Sequence, residues 1–226
     1  ATARARVVLV ERHKMGGDCL HTGCVPSKAL IASAKTVQQL NEATNYGLRG
    51  VKGDVDFEAV MARVHRTIQT IAPKDSTERY ESLGVTCVHG HAEIRDPHCV
   101  LVDGVAYTTK NILIASGAEP VVLPIPGLDE GECLTSSNLW SIRELPGRLV
   151  VLGGGPIGCE LAQAFNRLGS DVTLVEIEDR LLPREDEEVG TMMADIFRRE
   201  GVRVLTGYRP DRCSKKRLFV TGPTSE

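Results

Sequence analysis

Short apolar runs bounded by turn residues alternate along the first half of the chain with longer segments in which apolar residues recur every three or four positions. The run VVLVE (Val7–Glu11) predicts a short buried strand that ends in an acid. Helical spacing extends from about Ser27 to Tyr46, and Pro26 suits the first turn because its missing N–H is not needed there. A second helix is predicted from about Asp56 to Leu83, with its first residue as N-cap and a break at Pro73.

Alternating runs follow this helix. Between residues 85 and 109, four short runs separated by Gly, Asp and Pro predict a small antiparallel β-meander. The segment NILIASG (Asn111–Gly117) predicts a fully buried strand that ends at a glycine. The Pro-rich stretch AEPVVLPIPGLDEGE (residues 118–132) is typical of a linker, so we predict two domains, residues 1–127 and residues 128–226.

The second domain opens with a strand, a glycine turn, a helix and another strand, within residues 148–176. The helix is predicted over about Pro156–Leu168, with Gly169 as its stop. A further helix (residues 186–201) and strand (residues 202–207) complete a βαβαβ pattern, which indicates half of a doubly wound parallel sheet.

The glycine turn of this domain carries a dinucleotide-binding pattern. Gly153, Gly155 and Gly158 form G-x-G-x-x-G between a strand and a helix, where they permit a tight turn, approach of the backbone to a pyrophosphate, and close packing. Glu176 ends the next strand, 18 residues after Gly158, where a carboxylate accepts hydrogen bonds from a ribose diol. It would repel a 2′-phosphate and thereby favours NAD over NADP, although Arg180 nearby could meet such a phosphate.

Glu11 has a similar place at the end of the first strand, which implies a second dinucleotide site. No G-x-G-x-x-G precedes it in this sequence. Because the chain opens on Ala1 and closes on GPTSE, we expect a fragment that lacks the first strand and phosphate loop of one domain and the end of the other.

Composition narrows the partners and the compartment. With 27 basic and 30 acidic residues the net charge is −3, and aromatics are 4%, so neither a nucleic acid nor a membrane is predicted as a partner. No apolar run approaches the roughly 20 residues that span a bilayer, and no signal peptide is visible. Seven cysteines is an odd number for a secreted disulfide framework, and five of them are dispersed, which predicts a reducing cytoplasm.

Two cysteines stand close together in GGDCLHTGCVPSK (Gly16–Lys28), and they admit three interpretations. A metal site would need about four ligands, and no second pair is present for it. A structural disulfide between Cys19 and Cys24 would close only a small loop and would be unusual in a cytosolic chain. A redox-active pair suits a position at the start of a helix with Lys28 nearby, because both favour a thiolate.

This segment resembles the active-site signature GG-x-C-x4-C-(V/I)-P of the flavin-dependent, class I pyridine nucleotide–disulfide oxidoreductases, including its mercuric reductase-like and dihydrolipoamide dehydrogenase-like members. TTKNILIASGAEP (residues 108–120) resembles the family's second flavin-contacting strand, and VVLGGGPIGCELA (residues 150–162) its nicotinamide-domain turn. The resemblance implies an α/β fold with two Rossmann-like, doubly wound, three-layer nucleotide-binding domains. The first is incomplete and carries the β-meander, and the family's C-terminal dimerisation domain is absent from this sequence.

The resemblance also implies residue roles. Cys19 would be the thiol that attacks substrate, Cys24 the thiol that faces the flavin, and Lys28 with Glu160 an ion pair beside flavin and nicotinamide. No metal ligand is predicted. The implied FAD contacts are Glu11, Gly17, Asp18, Lys28, Ser116 and Gly117, and those to NAD(P)H are Gly153, Gly155, Pro156, Ile157, Gly158 and Glu176.

The predicted function is therefore that of a flavoenzyme, with electrons passing from NAD(P)H through FAD to a Cys19–Cys24 disulfide. The small-molecule substrate would be a disulfide, a dithiol or a soft metal ion, and the full-length parent is expected to be a homodimer. Two other interpretations are a truncated, non-catalytic remnant that still binds a nucleotide, and a plain NAD-binding module with incidental cysteines.

Overall fold

The computed structural model describes residues 5–51, 53–128 and 133–223. They form two compact units. The first contains the described residues up to Pro26 together with His65–Glu119, and the second contains Ser27–Val64 together with the described residues from Pro120 onward. The predicted domain boundary after residue 127 stays a prediction. Ala1, the last four residues of the predicted linker and the final three residues of the chain lie outside the described residues.

The first unit contains a two-stranded parallel sheet in which β1 (Val7–Glu11) pairs with β2 (Val85–His89). Val7 lies opposite Val85 and Glu11 opposite His89. This pairing corrects the prediction that the β2 run belongs to the meander. Parallel neighbours need a long connection, and the helices between β1 and β2 supply it, whereas the alternating pattern of β2 carries no information about its partner.

The meander itself is confirmed for the three following runs. Strands β3 (Ala92–Asp96), β4 (Cys99–Val102) and β5 (Val105–Thr108) form an antiparallel sheet in the order β3-β4-β5. Val102 is buried, at 3% exposure, and lies opposite Val105 in the β4–β5 register. Short turns at Pro97–His98 and at Asp103–Gly104 connect the strands, as the proline, polar residue and glycine between the runs predict.

The prediction of a buried strand at Asn111–Gly117 is wrong. This segment pairs with no strand in the part of the chain that the structure describes, and Leu113 is 91% and Ile114 71% exposed. The expectation that β1 is buried is also wrong, because Val8 is 44% exposed. Apolar composition identifies side chains that gain free energy on burial, but burial also requires another layer of the fold over them.

The helices follow the sequence pattern closely. Asp56 precedes α3 (Phe57–Ile71) and its Oδ1 accepts the backbone N–H of Ala59 at 2.9 Å, which confirms it as the N-cap. The predicted break falls at Pro73, where a 3-10 helix separates α3 from the next helix. The other helices in this part of the chain are α1 (Gly17–His21), α2 (Cys24–Asn41) and α4 (Thr77–Ser82), with 3-10 helices at Ala43–Tyr46 and Ala72–Asp75.

The βαβαβ prediction for the second unit is confirmed. Its elements are β6 (Arg148–Leu152), α5 (Pro156–Leu168), β7 (Asp171–Glu176), α6 (Glu187–Arg199) and β8 (Arg203–Thr206). The three strands are parallel in the order β6-β7-β8, and α5 stops at Gly169, whose φ is 115°. Helices and sheet enclose an apolar core that includes Phe165, Leu168, Val172, Leu174 and Phe197.

Polar side chains tie the ends of α5 and α6 together. Glu200, directly after α6, accepts two hydrogen bonds from the Arg167 guanidinium, at 2.6 and 2.8 Å. Gln163 donates to the same carboxylate at 3.0 Å, and the Asn166 amide donates to the Glu200 carbonyl at 2.9 Å. Such a bidentate, largely covered pair holds the helix that follows the glycine turn in one orientation.

An antiparallel hairpin that the sequence pattern did not predict completes the second unit. It consists of β9 (Arg209–Ser214) and β10 (Arg217–Thr221), with a bulge between Phe219 and Val220. Its two turn residues are Lys215 and Lys216. The hairpin was missed because such turns are normally recognised by Asn-Gly or another glycine pair.

Candidate functional site

Glycines shape the start of the cysteine segment in the first unit. Gly16 and Gly17 have φ of 97° and 56°, which is left-handed backbone that other residues adopt only with strain. A side chain on Gly16 would overlap the side chain of Leu20, which is 2% exposed. Leu20 anchors the short helix α1, and the preceding residue, Cys19, is exposed.

The loop between the two cysteines folds back on Asp18. The backbone N–H of Thr22 donates to the Asp18 carbonyl at 2.9 Å, and the Thr22 hydroxyl donates to the same oxygen at 3.2 Å. A β-carbon on Gly23 would stand 3.0 Å from this oxygen, a tight contact that the loop would have to shift to relieve, so glycine suits this position. Cys24 then begins α2 and is exposed.

The structure brings together two predicted flavin contacts. Oδ2 of Asp18 accepts the N–H of Ala118 at 3.2 Å, and a side chain on Gly117 would overlap the same carboxylate. Gly117 also has φ of 71°, a second reason for glycine at this position. Ser116 beside it is exposed. Sequence reasoning missed the role of Ala118, because a backbone donor leaves no signal in the residue type.

The other predicted residues of the first unit lie at the carboxyl end of β1 and in the cysteine segment. Glu11 accepts the N–H of His13 at 2.7 Å through Oε1 and is half-buried. Gly17 is exposed. Carboxyl ends of parallel strands are where nucleotides bind in sheets of this kind, so the position of Glu11 suits the predicted ribose contact.

Lys28 and Glu160, predicted as an ion pair, are both exposed residues of the second unit. Within the described residues, the ion pairs are Arg12–Glu119, Arg167–Glu200 and Asp195–Arg198, and neither Lys28 nor Glu160 takes part in them. Their pairing stays a prediction for the flavin-loaded protein.

The glycine turn of the second unit has the geometry of a phosphate-binding loop. Gly153 has φ of 101° and its N–H donates to the Val175 carbonyl at 2.8 Å, which holds the turn onto β7. Gly155 is the N-cap of α5, and a β-carbon there would meet no atom within 4 Å, so its surroundings are open. Pro156 and Ile157 follow as exposed residues of the first helical turn. The first N–H groups of a helix have no partner within the helix, so the start of α5 is the place where an anion would bind.

Gly158 differs from Gly155, because a side chain on it would overlap the carbonyl oxygen of Gly153. The absence of a side chain therefore allows α5 to pack directly on the turn. This is the packing role predicted for the third glycine of the pattern.

Glu176 is 7% exposed and its carboxylate is turned toward the glycine turn. Oε2 accepts the N–H of Gly154 at 2.5 Å and Oε1 accepts the N–H of Glu178 at 2.9 Å. A carboxylate has about four acceptor positions, so these bonds fix its orientation and leave others for ribose hydroxyls. The guanidinium of Arg180 donates to the Pro183 carbonyl at 2.9 Å and lines a polar cleft with Glu178, Asp179, Pro183, Glu187 and Thr191.

Cys159 stands in the first part of α5, 4% exposed, and its Sγ donates to the Gly154 carbonyl at 3.3 Å. Burial, and secondarily the nearby Glu176 carboxylate, raise the pKa of this thiol to about 11. The thiol is therefore protonated at neutral pH and supports the turn as a neutral hydrogen-bond donor. The sequence marked it only as one of the dispersed cysteines.

We expect Cys159 to resist iodoacetamide in the folded protein at pH 8. Its pKa lies above the ordinary value of 9.0 by enough to cut the reactive thiolate by about a hundredfold, before burial slows access further. Peptide mapping by mass spectrometry would measure labelling at each cysteine against a sample denatured in guanidinium chloride. Labelling of Cys159 as fast as in the denatured sample would contradict this description of the turn.

The described residues contain neither a cluster of metal-ligating side chains nor a membrane-spanning helix. Over residues 5–51, 53–128 and 133–223, no three His, Cys, Asp or Glu side chains are grouped so that they could hold a metal ion. Nor does the described part of the chain contain a helix of the length and apolarity needed to cross a membrane.

Comparison with known proteins gave consistent matches. The family model described as pyridine nucleotide-disulphide oxidoreductase matches residues 1–222. The chain is 34% identical over 208 residues to dihydrolipoyl dehydrogenase of Acholeplasma laidlawii, which covers 89% of this chain and 61% of that protein. It is 37% identical over 206 residues to mercuric reductase of Streptomyces lividans, which covers 88% of this chain and 43% of that protein.

Solved structures agree. The HOCl-induced flavoprotein disulfide reductase RclA from Escherichia coli superposes with a TM-score of 0.78 at 30% identity, over 99% of this chain and 49% of that one. LpdA from Mycobacterium tuberculosis gives a TM-score of 0.81 at 27% identity, over 100% of this chain and 51% of that one. The chain therefore spans about half the length of these solved relatives, and the α/β class with Rossmann-like nucleotide-binding architecture is confirmed.

Proposed function

Because the chain belongs to the pyridine nucleotide-disulphide oxidoreductase family, whose members use FAD and NAD(P)H, we propose that it carries the thiol pair of such an enzyme. Electrons would pass from the reduced nicotinamide to Cys19 and Cys24 and then to a substrate. The observation that supports this most directly is the exposure of both sulfurs where α1 gives way to α2, in a loop closed by Asp18 and Gly23.

The residues present fit both cofactors. The open surroundings of Gly155 at the N-terminus of α5 leave room for a pyrophosphate, and the fixed Glu176 carboxylate offers acceptors to a ribose diol. Glu11 at the end of β1 offers the same to the flavin's adenosine half. FAD, when bound, would take a hydride from the nicotinamide and supply the electron pair that reduces a disulfide. The chain's own residues would bind and orient the two cofactors, and its two sulfurs would pass the electron pair to the substrate.

Thiol–disulfide exchange accounts for the substrate step with balanced electrons. The Cys19 thiolate would attack one sulfur of a substrate disulfide, forming a mixed disulfide and releasing the other half as a thiolate. The Cys24 thiolate would then attack Sγ of Cys19 and release the second half. Two electrons have moved to the substrate, the protein holds a Cys19–Cys24 disulfide, and two protons from solvent complete the products. The reverse sequence would oxidise a dithiol.

The substrate class stays open between a small disulfide or dithiol, as the name dihydrolipoyl dehydrogenase suggests, and a soft metal ion, as the name mercuric reductase suggests. Assembly as a homodimer and a cytoplasmic location remain predictions.

Anaerobic titration with NADH would test the proposal. The oxidised protein, loaded with FAD, would hold two two-electron acceptors, so about one equivalent of NADH should produce two new thiols and a second equivalent should bleach the flavin absorbance, which should return when lipoamide or Hg(II) is added. A colourless protein that binds NADH without turnover would instead support the second candidate, a nucleotide-binding protein without catalysis. Absence of binding to both nucleotides would contradict both.

We further expect the protein to bind NADH more tightly than NADPH, by about ten- to a hundredfold. The buried Glu176 carboxylate would oppose a 2′-phosphate. Arg180 would not offset this repulsion, because its guanidinium is held by the Pro183 carbonyl. Glu176→Gln should narrow the ratio of the two affinities chiefly by strengthening NADPH binding, whereas Glu93→Gln, a matched change at an exposed carboxylate of β3, should alter it less than threefold. Fluorescence titration with each nucleotide measures the ratio, and tighter binding of NADPH by the unmodified protein would refute the assignment.

A further inference from the structure

The β9–β10 hairpin concentrates positive charge in an otherwise slightly acidic chain. Residues 209–217 contain five basic side chains and one acidic one, whereas the whole sequence has 27 basic and 30 acidic residues. None of the residues of the hairpin belongs to the cysteine segment or the glycine turn. The hairpin therefore needs an explanation separate from the redox chemistry.

The strand pairing places the charge on one side of the hairpin. Burial alternates along β10, with Leu218 and Val220 half-buried and the residues between them exposed. Three arginines lie on the exposed side of the hairpin. In the strand pairing, Arg217 is opposite Ser214, Arg212 is opposite Phe219 and Arg209 is opposite Thr221. We call this side the basic face, and it consists of Arg209, Arg212, Arg217 and Phe219, all exposed.

Arg212 is oriented by an aromatic ring. Its guanidinium carbon lies 3.9 Å from the centroid of the Phe219 ring, a cation–π contact. Stacking of a guanidinium on a ring leaves the N–H groups at its rim available for a planar, bidentate acceptor such as a carboxylate. The contact also covers one face of Phe219, which is itself only 40% exposed.

The turn extends the positive charge to the tip of the hairpin. Lys215 and Lys216 have φ of 49° and 58°, in the left-handed region that disfavours residues with a β-carbon. Asn-Gly would occupy such a turn with less strain. Strain of this kind is often retained where the side chains serve a function, and here both side chains are cationic.

We propose that the basic face and the tip form a docking surface for an extended acidic segment of a partner protein. At about 3.4 Å per residue, the strands between tip and base span roughly 17–20 Å, which matches five or six extended residues rather than a single phosphate. A nucleic acid fits less well, because single-stranded binding relies on free aromatic faces for stacking and Phe219 already carries Arg212.

A labelled hexapeptide of alternating Glu and Asp provides the test, with fluorescence anisotropy at low salt. The protein should bind it in the micromolar range, and added salt should weaken the complex. Arg212→Gln with Arg217→Gln should weaken binding at least tenfold. The matched control, Arg198→Gln with Arg199→Gln on exposed positions of α6, removes the same charge and should change it less than twofold.

Further variants and ligands separate the outcomes. Arg212→Lys keeps the charge but loses the planar guanidinium that can bind a carboxylate through two hydrogen bonds. It should weaken binding of the peptide about threefold, while far-UV circular dichroism and NADH affinity stay unchanged. The proposal is overturned if the unmodified protein does not bind the peptide or if both double variants lose affinity equally. It is likewise overturned if an oligonucleotide of equal charge binds more tightly than the peptide. These results are independent of redox activity.

Discussion

Replacing Cys24 with serine should lower NADH-dependent reduction of a disulfide substrate by at least about a thousandfold, because a hydroxyl can neither form nor release the Cys19–Cys24 disulfide. Cys19→Ser should cause a comparable loss, since it removes the sulfur proposed to attack the substrate. Cys87→Ser, at a half-buried thiol of β2, removes one sulfur outside the segment and should leave turnover within about twofold.

Thiol counting separates a redox role from a structural one. Anaerobic NADH should add two titratable thiols to the oxidised, flavin-loaded protein, and neither Cys19→Ser nor Cys24→Ser should show this gain of two. Both variants should still bind NADH with unchanged affinity, because the glycine turn belongs to other elements. An equal thiol count before and after NADH in the unmodified protein would show that the pair does not cycle. Full turnover in Cys24→Ser would exclude that residue from the transfer.

Local patterns predicted the second unit well for a physical reason. Strand β6, the glycine turn and α5 are consecutive in the chain, so their spacing, caps and glycines record the local geometry directly. The same holds for α3, where the Asp56 cap and the break at Pro73 are properties of a few neighbouring residues. A motif of this kind carries its own structural context.

Contacts between distant parts of the chain were not predictable in this way. The bond from Ala118 N–H to Asp18 joins residues 100 positions apart and uses a backbone donor. Pairing of β2 with β1 depends on the connection that α3 and α4 provide, and the alternating pattern of β2 suits either kind of sheet. Leu113 and Ile114 are residue types typical of a buried strand, yet they lie exposed. An apolar sequence does not determine whether another layer of the fold packs over it.

Within the site, the residue types were predictable and their interactions were not. G-x-G-x-x-G followed by an acid indicated the dinucleotide turn, but nothing in the pattern indicated that Glu176 would bond to Gly154 N–H while Cys159 bonds to the Gly154 carbonyl. These two bonds hold the middle of the turn from both sides. The Glu176 bond arises from the parallel register of β6 and β7, which places the end of β7 beside the turn that follows β6, whereas the Cys159 bond is local, because Cys159 lies in α5 five residues after Gly154.

Two alanine substitutions in this turn should have different consequences. Gly158→Ala should destabilise the protein by about 2–3 kcal/mol, because its β-carbon would overlap the Gly153 carbonyl oxygen and displace α5. NADH binding should fall by more than about a hundredfold with it, since the helix N-terminus would no longer face the phosphates. Guanidinium denaturation and calorimetric titration with NADH measure the two effects.

Gly155→Ala separates binding from folding. Gly155 has φ of −72°, which alanine adopts without strain, and a β-carbon there meets no atom within 4 Å. Stability should therefore stay within about 0.5 kcal/mol of the unmodified protein, while NADH binding falls about ten- to a hundredfold because the methyl group occupies the approach of the pyrophosphate. NADH bound by Gly155→Ala with undiminished affinity would remove this turn from the nucleotide site, since the only change in that variant is a methyl group in the space assigned to the phosphates.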